Sequence, residues 1–390
     1  MGRYGYRVID SDGHIFESMD MYRQMADRFM DAANGAKLHK LSDEYLEQNP
    51  DYDPARQVHL WPLASKMPVV KRDRPLGIYD GSKPVTFDLG GRHWDTEGAH
   101  APLDPEARLA DMDTEGVDVA VIFPSGIAAW IAIEDVALEN AVYTAYNQWM
   151  GQFCSVASGR FKYVATVSMR DIAAGAQEIR RAAADPNMVG IYLQTHTDDR
   201  LLEHPDFDAL WAAAEETGIP VDIHQASSAL PPYGMGIEEA RGNRFLQHTA
   251  GNPVEMMRAI SCTIGSGVFH RFPKLRVAYL EAGCGWLPYW LERLDDHLEL
   301  MPESVPLLKE KPTDIFKRNC YISLDPDEWT LPHVAQYLGA DRIVYASDYP
   351  HYDGKFPDSV KIVAERKDLT DDVKAKILGE NALTLYPRIT

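Results

Sequence analysis

The stretch Ala107–Pro124, ARLADMDTEGVDVAVIFP, decides how the rest of the chain is read. Its first half places Leu109 and Met112 three residues apart, the spacing of one helix face. Gly116 follows where a left-handed residue commonly ends a helix. Val117–Pro124 is then a near-continuous apolar run, as expected of a strand buried on both faces in a helix-covered parallel sheet.

The same alternation recurs on either side. Further apolar, β-branched runs lie at Arg7–Asp12 (RVIDSD), Phe161–Met169, Met188–Gln194, Pro220–Gln225, Leu275–Glu281, Cys320–Asp325 and Arg342–Asp348. Helical spacing fills most of the intervals, at Asp135–Ala157, Ala173–Ala184, Phe207–Thr217, Val254–Phe269, Trp286–Leu300 and Leu331–Leu338. Pro105, Glu106 and Asp206 stand where helices start, and Gly218 and Gly339 where they end. Eight such strands predict an α/β fold, a (β/α)8 TIM barrel, in a single domain over residues 1–390. The competing arrangement, an open doubly wound sheet, would want a G-x-G-x-x-G after the first strand, and none is there. Residues 18–104 interrupt the rhythm. They are rich in Pro, Asp, Tyr and Met, weakly periodic, and lie between the first strand and its helix. They are expected to form an inserted lid or specificity subdomain at the catalytic face.

With 39 Lys+Arg against 59 Asp+Glu the formal charge is −20, and 45% of residues are apolar. This is globular composition, and its acidity argues against nucleic acid or an anionic membrane as partner. The four cysteines are scattered without a C-x-x-C pair, which points to a reducing, cytoplasmic setting rather than a disulfide scaffold or thiolate metal clip. No run of ~18 apolar residues offers a membrane span. The aromatic content is compatible with a homodimer.

Barrel enzymes work where the strands end. The first strand runs into Asp12, Gly13, His14 and, just beyond, Glu17; alternation puts Asp12 and His14 on one side. The fifth ends in His224, the sixth in Glu281, and the eighth in Asp348, with His351 three residues on. A lone aspartate at a strand end is usually a turn former, and a lone histidine usually a satisfied structural residue. Ionisable groups at four strand ends around one rim instead ask for a counter-charge, which a divalent cation supplies. Oxygen-rich donors without thiolates suit Fe, Mn or catalytic Zn.

These motifs resemble the amidohydrolase-related (amidohydrolase 2) family of metal-dependent hydrolases, which includes aminocarboxymuconate-semialdehyde and hydroxybenzoate decarboxylases. The resemblance rests on D-G-H at 12–14, His224, H-P-D-F at 204–207, R-F-P-K-L-R at 271–276 leading to L-E-A-G at 280–283, A-S-D-Y-P-H at 346–351 and L-G-E-N-A at 378–382. It implies Asp12, His14, His224 and Asp348 as metal ligands. It also implies a histidine at the end of the sixth strand, where this chain has Glu281. With Glu17 and His248, which lies between the fifth and sixth strands, the set grows to four carboxylates and three histidines, more than one metal uses.

Two enzyme readings follow. In the first, Asp12, His14, Glu17, His224, His248, Glu281 and Asp348 hold two Fe ions, as in a di-iron branch of the same family. O2 is then co-substrate for monooxygenation of a small molecule, and a ferredoxin- or flavin-type donor with its reductase supplies electrons. In the second, one Zn or Mn serves a hydrolase or non-oxidative decarboxylase, with Glu281 or His351 as acid/base. A non-enzymatic binding protein on the same scaffold predicts no metal dependence. Arg241 and Arg244 offer an anchor for an anionic substrate group, against the plainer reading of a solvated loop.

Overall fold

The computed structural model describes residues 2–50, 58, 60–64, 79–80, 83–84, 104–225, 244–351 and 354–390, with backbone alone at 61–62, 79–80, 83–84 and 244–248. Eight parallel strands follow one another around the sheet in chain order: β1 (Ile9–Ile15), β2 (Val119–Pro124), β3 (Phe161–Thr166), β4 (Met188–Leu193), β5 (Val221–Ile223), β6 (Val277–Tyr279), β7 (Cys320–Ser323) and β8 (Ile343–Val344). Each coincides with one of the eight expected runs. Backbone bonds tie the two ends of the sheet: Ser11 N donates to Tyr345 O at 2.9 Å, Asp348 N to Asp12 O at 2.9 Å and His14 N to Tyr349 O at 2.6 Å. The sheet is therefore a (β/α)8 barrel and not an open doubly wound sheet.

Helices cover the outside. Four of them, α3 (Pro105–Glu115), α4 (Val136–Ser155), α5 (Ile172–Ala182) and α6 (Asp208–Thr217), follow β1 to β4 in turn. After β5 to β7 come α7 (Arg244–Gly265), α8 (Leu287–Leu300), α9 (Pro312–Asn319) and α10 (Leu331–Leu338). The carboxylates of Asp104, Asp135 and Asp171 accept backbone N–H bonds at the starts of α3, α4 and α5, satisfying donors that have no partner within the helix. α7 begins ten residues before the expected helix and carries Pro253 inside it; a proline normally marks a helix start, which is why the periodicity alone placed the start at Val254.

The described residues of the inserted segment hold two long helices that weak periodicity concealed, α1 (Met19–Arg28) and α2 (Ala32–Gln48), and one short turn of helix at Trp61–Ala64. α1 is capped by Ser18 and buries Met19, Met21, Tyr22, Met25 and Ala26; α2 is capped by Asp31. The rest of 18–104 lies largely outside the described residues.

Two apolar cores result. One lies between the strands and the helices. The other fills the barrel, from Ile9, Val121, Phe123 and Tyr192 to Leu385 and Tyr386 of the C-terminal segment. That segment sits at the strand starts, where Arg388 donates to Met188 O at 2.7 Å and Arg276 to Thr384 O at 3.1 Å. The opposite end, where the strands finish, is left to the polar groups.

Candidate metal centre

β1 carries Asp12 and His14 into the mouth through a register shift between Asp10 and Gly13. In an unbroken strand Asp10, Asp12 and His14 would share one face. The shift separates them. Asp10 turns to the eighth strand's loop, accepting from Ser347 N at 2.9 Å and Ser347 Oγ at 2.6 Å, whereas Asp12 and His14 turn inward. His224 directly follows β5 and is buried like the other two.

The three converge. Asp12 Oδ1 is 3.3 Å from His14 Nε2 and 3.4 Å from His224 Nε2. His14 Nδ1 faces the carbonyl of Pro124 at 3.1 Å and His224 Nδ1 that of Gln225 at 3.0 Å. A carbonyl can only accept, so each ring carries its hydrogen on Nδ1 and presents the Nε2 lone pair to Asp12. Asp12 Oδ1, His14 Nε2 and His224 Nε2 are all buried, and none has a hydrogen-bond partner among the described residues. Three unsatisfied buried acceptors facing one point would be costly in a dry site, and a cation accounts for them. Two imidazole nitrogens with carboxylate oxygens suit Mn or Zn. Burial alone would raise the Asp12 carboxyl; in the cation-free site a protonated His224 and the contacts of both rings instead hold it below the ordinary carboxylate range. Burial would lower His224, but without a cation Glu281 and Asp12 outweigh it and raise His224 well above the usual histidine value, so that a proton takes the place of the metal at Nε2,.

Asp348 joins from β8, its Oδ1 3.6 Å from His14 Nε2 and 2.5 Å from His351 Nδ1. Glu281 joins from β6: Oε2 stands 2.8 Å from His224 Nε2, and Oε1 accepts from Asn252 Nδ2 at 3.1 Å. Among the described residues, Glu281 (φ 55°) and Asp348 (φ 54°) are the only non-glycines in the left-handed region. Such strain persists where surrounding structure imposes it and concentrates at working sites.

Glu17 is not in this cluster. Its carboxylate accepts from the amides of Ser125 at 3.0 Å, Gly126 at 2.7 Å and Ile127 at 3.3 Å, at the start of a 3-10 helix, Ile127–Ala132. Burial raises its carboxyl while these amides pull it down. His248 lies in the first turns of α7, and its side chain is outside the described residues, as is Arg241; of Arg244 the backbone alone is described. The structure thus brings together Asp12, His14, His224, Glu281, Asp348 and His351.

Sequence reasoning missed Asp10, Ser125, Asn252 and Arg108, whose Nη1 donates to His14 O at 2.6 Å. Asp10 carried a signal in its spacing from Asp12. Ser125 and Asn252 carried none, since each acquires its place only when another strand or helix arrives.

The comparisons bear on the chemistry. The chain is 25% identical over 283 residues to the 2-amino-3-carboxymuconate-6-semialdehyde decarboxylase of Dictyostelium discoideum, covering 72% of this chain and 76% of that one. It shares its fold with a 5-carboxyvanillate decarboxylase of Novosphingobium aromaticivorans solved with manganese (TM-score 0.66, 22% identity, covering 99% and 98% of the two chains). The same holds for a dihydroxybenzoic acid decarboxylase of Polaromonas, also solved with manganese (TM-score 0.65, 18% identity, covering 98% and 97%). These findings overturn the O2-dependent di-iron monooxygenase. The relatives are named decarboxylases, and the metal in the two neighbours is manganese rather than a pair of irons. The oxidoreductase reading goes with it, and the ferredoxin or flavin donor loses its purpose. The physical reason for the misreading is Glu17, counted as a ligand by its position along β1 but spent on three amides. Among the described residues no helix is long and apolar enough to cross a membrane. Residues 56–388 match the model of the Amidohydrolase family (Amidohydro_2), and the chain belongs to that family.

Proposed function

We propose that this protein removes the carboxyl group of a hydroxylated aromatic or related unsaturated carboxylic acid without an oxidant. One divalent ion, manganese or zinc, would be held by Asp12, His14, His224 and Asp348. The observation that carries this reading is the convergence of three buried, unpartnered ligand atoms from β1 and β5. The decarboxylase relatives support the reaction class.

When bound, the metal supplies the positive charge that orients the substrate carboxylate and a neighbouring oxygen. The reaction replaces C–COO⁻ by C–H, so a protein group must place a proton near the carbon that loses CO2. The position of His351, half-buried beside Asp348, supports it as the carrier. Glu281, fixed by Asn252, keeps His224 oriented. The segment 18–104 departs directly after Glu17 at the mouth, which supports its role as a cover and specificity element.

Manganese-loaded protein should release CO2 from 2,6-dihydroxybenzoate or 5-carboxyvanillate under strict anaerobiosis, with one metal per chain by elemental analysis. A requirement for O2, or two metals per chain, would sink the proposal. Asp12→Asn should lose most of its metal and reduce kcat/KM by at least 100-fold, an order of magnitude expected for a lost ligand.

A further inference from the structure

The Glu17 carboxylate has a task that the metal cluster does not explain. It is buried and bonded to the amides of Ser125, Gly126 and Ile127. Ser125, held by its own N–H, places its hydroxyl 3.4 Å from His14 Nδ1 and 3.3 Å from His351 Nε2. On its far side His351 presents Nδ1 to Asp348 Oδ1 at 2.5 Å.

The direction of these bonds follows from the acceptors at their ends. His14 Nδ1 must carry hydrogen, because it faces the carbonyl of Pro124. That one hydrogen is shared between the Pro124 carbonyl and Ser125 Oγ, and Nδ1 cannot accept from the hydroxyl,. An ionised Asp348 can only accept, so His351 Nδ1 carries hydrogen and its Nε2 is left to accept from the Ser125 hydroxyl. One chain results, His14 to Ser125 to His351 to Asp348, with every donor pointing the same way. It fixes both the ring plane and the tautomer of His351.

A serine joined to a histidine and an aspartate in this order is also the connectivity of a hydrolytic nucleophile. Here the amides next to Ser125, which would have to receive an oxyanion, are already taken by Glu17. Positioning is therefore what the arrangement provides.

We infer that Glu17 and Ser125 are positioning residues: Glu17 clamps the loop after β2 so that the Ser125 hydroxyl holds His351 in a single tautomer and orientation beside Asp348. The inference rests on the reading of His351 as the proton carrier.

Histidine ring nitrogens of the manganese-free protein, observed by long-range 1H–15N correlation, test it without any turnover. Wild type should show His351 as one Nδ1–H tautomer. Ser125→Ala removes only the hydroxyl and should shift the His351 ring nitrogens toward the averaged values of a free imidazole, and Ser125→Thr should restore them. Glu17→Gln, which keeps the shape but one fewer anionic acceptor, should give an intermediate spectrum. In decarboxylation, Ser125→Ala should lower kcat about 10-fold or more with KM within about 2-fold, the pattern of a lost orientation effect on a proton carrier. Unchanged His351 ring signals in folded Ser125→Ala would overturn the inference, as would an equal loss in Ser125→Thr. If no acid is decarboxylated at all, the functional reading fails while the ring spectra still decide the positioning role.

Discussion

Glu115 shows at the residue scale how burial converts into a measurable property. Its carboxylate, at the end of α3, accepts from Val360 N at 2.7 Å and Ser359 Oγ at 3.0 Å, while its second oxygen is buried without a partner among the described residues. Burial raises this carboxyl from the ordinary 4.5 to about 7, against the pull of those two bonds, with Asp10 and Asp358 adding repulsion. The folded protein therefore holds the proton where the unfolded chain has lost it. The stabilising contribution is complete below about pH 4.5 and disappears as pH rises through about 7,. Urea unfolding across this window should show a loss of up to about 3 kcal/mol in wild type relative to Glu115→Gln, which has no proton to release. Parallel pH profiles for the two proteins would refute the assignment. At the same scale, Asp12, His14, His224, Glu281 and Asp348 were legible as candidates because each terminates a strand. Glu17 was legible as a candidate but its surroundings were not, because the amides it binds lie in the loop after β2.

Elements were read with more success where periodicity is strict. All eight strands and the helices α3 to α6 follow from apolar spacing and from Gly116 and Gly218 at helix ends. α1 and α2 did not: α1 buries Met, Tyr and Ala among many polar residues, and α2 buries only Gly35, Leu38 and Ser42, which leaves little apolar period to read,. Glycines show which constraint acts on an element. Gly218 ends α6 at φ 69° with open space around its α-carbon, so Gly218→Ala should cost about 1 kcal/mol from backbone conformation alone,. Gly175 in α5 has ordinary dihedrals, but a β-carbon there would lie 2.2 Å from the carbonyl oxygen of Ser168 and 3.0 Å from Leu210. Gly175→Ala should cost roughly 2–3 kcal/mol, because α5 must move away from the loop that follows β3 and from α6,. Thermal or urea denaturation should rank the pair in that order, and a reversed order would mean that close packing of α5 is not what selects glycine at 175.

Closure of the barrel is a property of the whole molecule. The C-terminal segment plugs the end opposite the metal centre with Leu385 and Tyr386, and the Tyr386 hydroxyl donates to the buried carboxylate of Asp222 at 2.8 Å. Leu385→Ala should cost about 2–5 kcal/mol from lost burial and the cavity left behind. Tyr386→Phe should cost about 1–3 kcal/mol by leaving Asp222 without its donor. At the other end the proposed ligands come from the ends of β1, β5 and β8, so a bound cation would tie distant parts of the ring together. Manganese at 100 times its Kd should stabilise the fold by about 2.7 kcal/mol. Tm should accordingly rise with manganese concentration in wild type, fall on chelation, and stay constant in Asp12→Asn. A Tm of wild type that ignores manganese would remove the metal centre from the account.

The amino-acid sequence by itself determined the alternation of strands and helices, the closed parallel barrel they imply and the family. It also marked the rim at which ionisable groups gather. These are local properties: the period of apolar residues and the identity of the residue at each strand end. How many metals the rim serves was a tertiary decision. The register shift in β1 turned Asp10 away from Asp12, and the loop after β2 presented three amides that captured Glu17. Neither event leaves a trace in nearby sequence, because both depend on which backbone atoms a neighbouring strand brings within hydrogen-bonding distance.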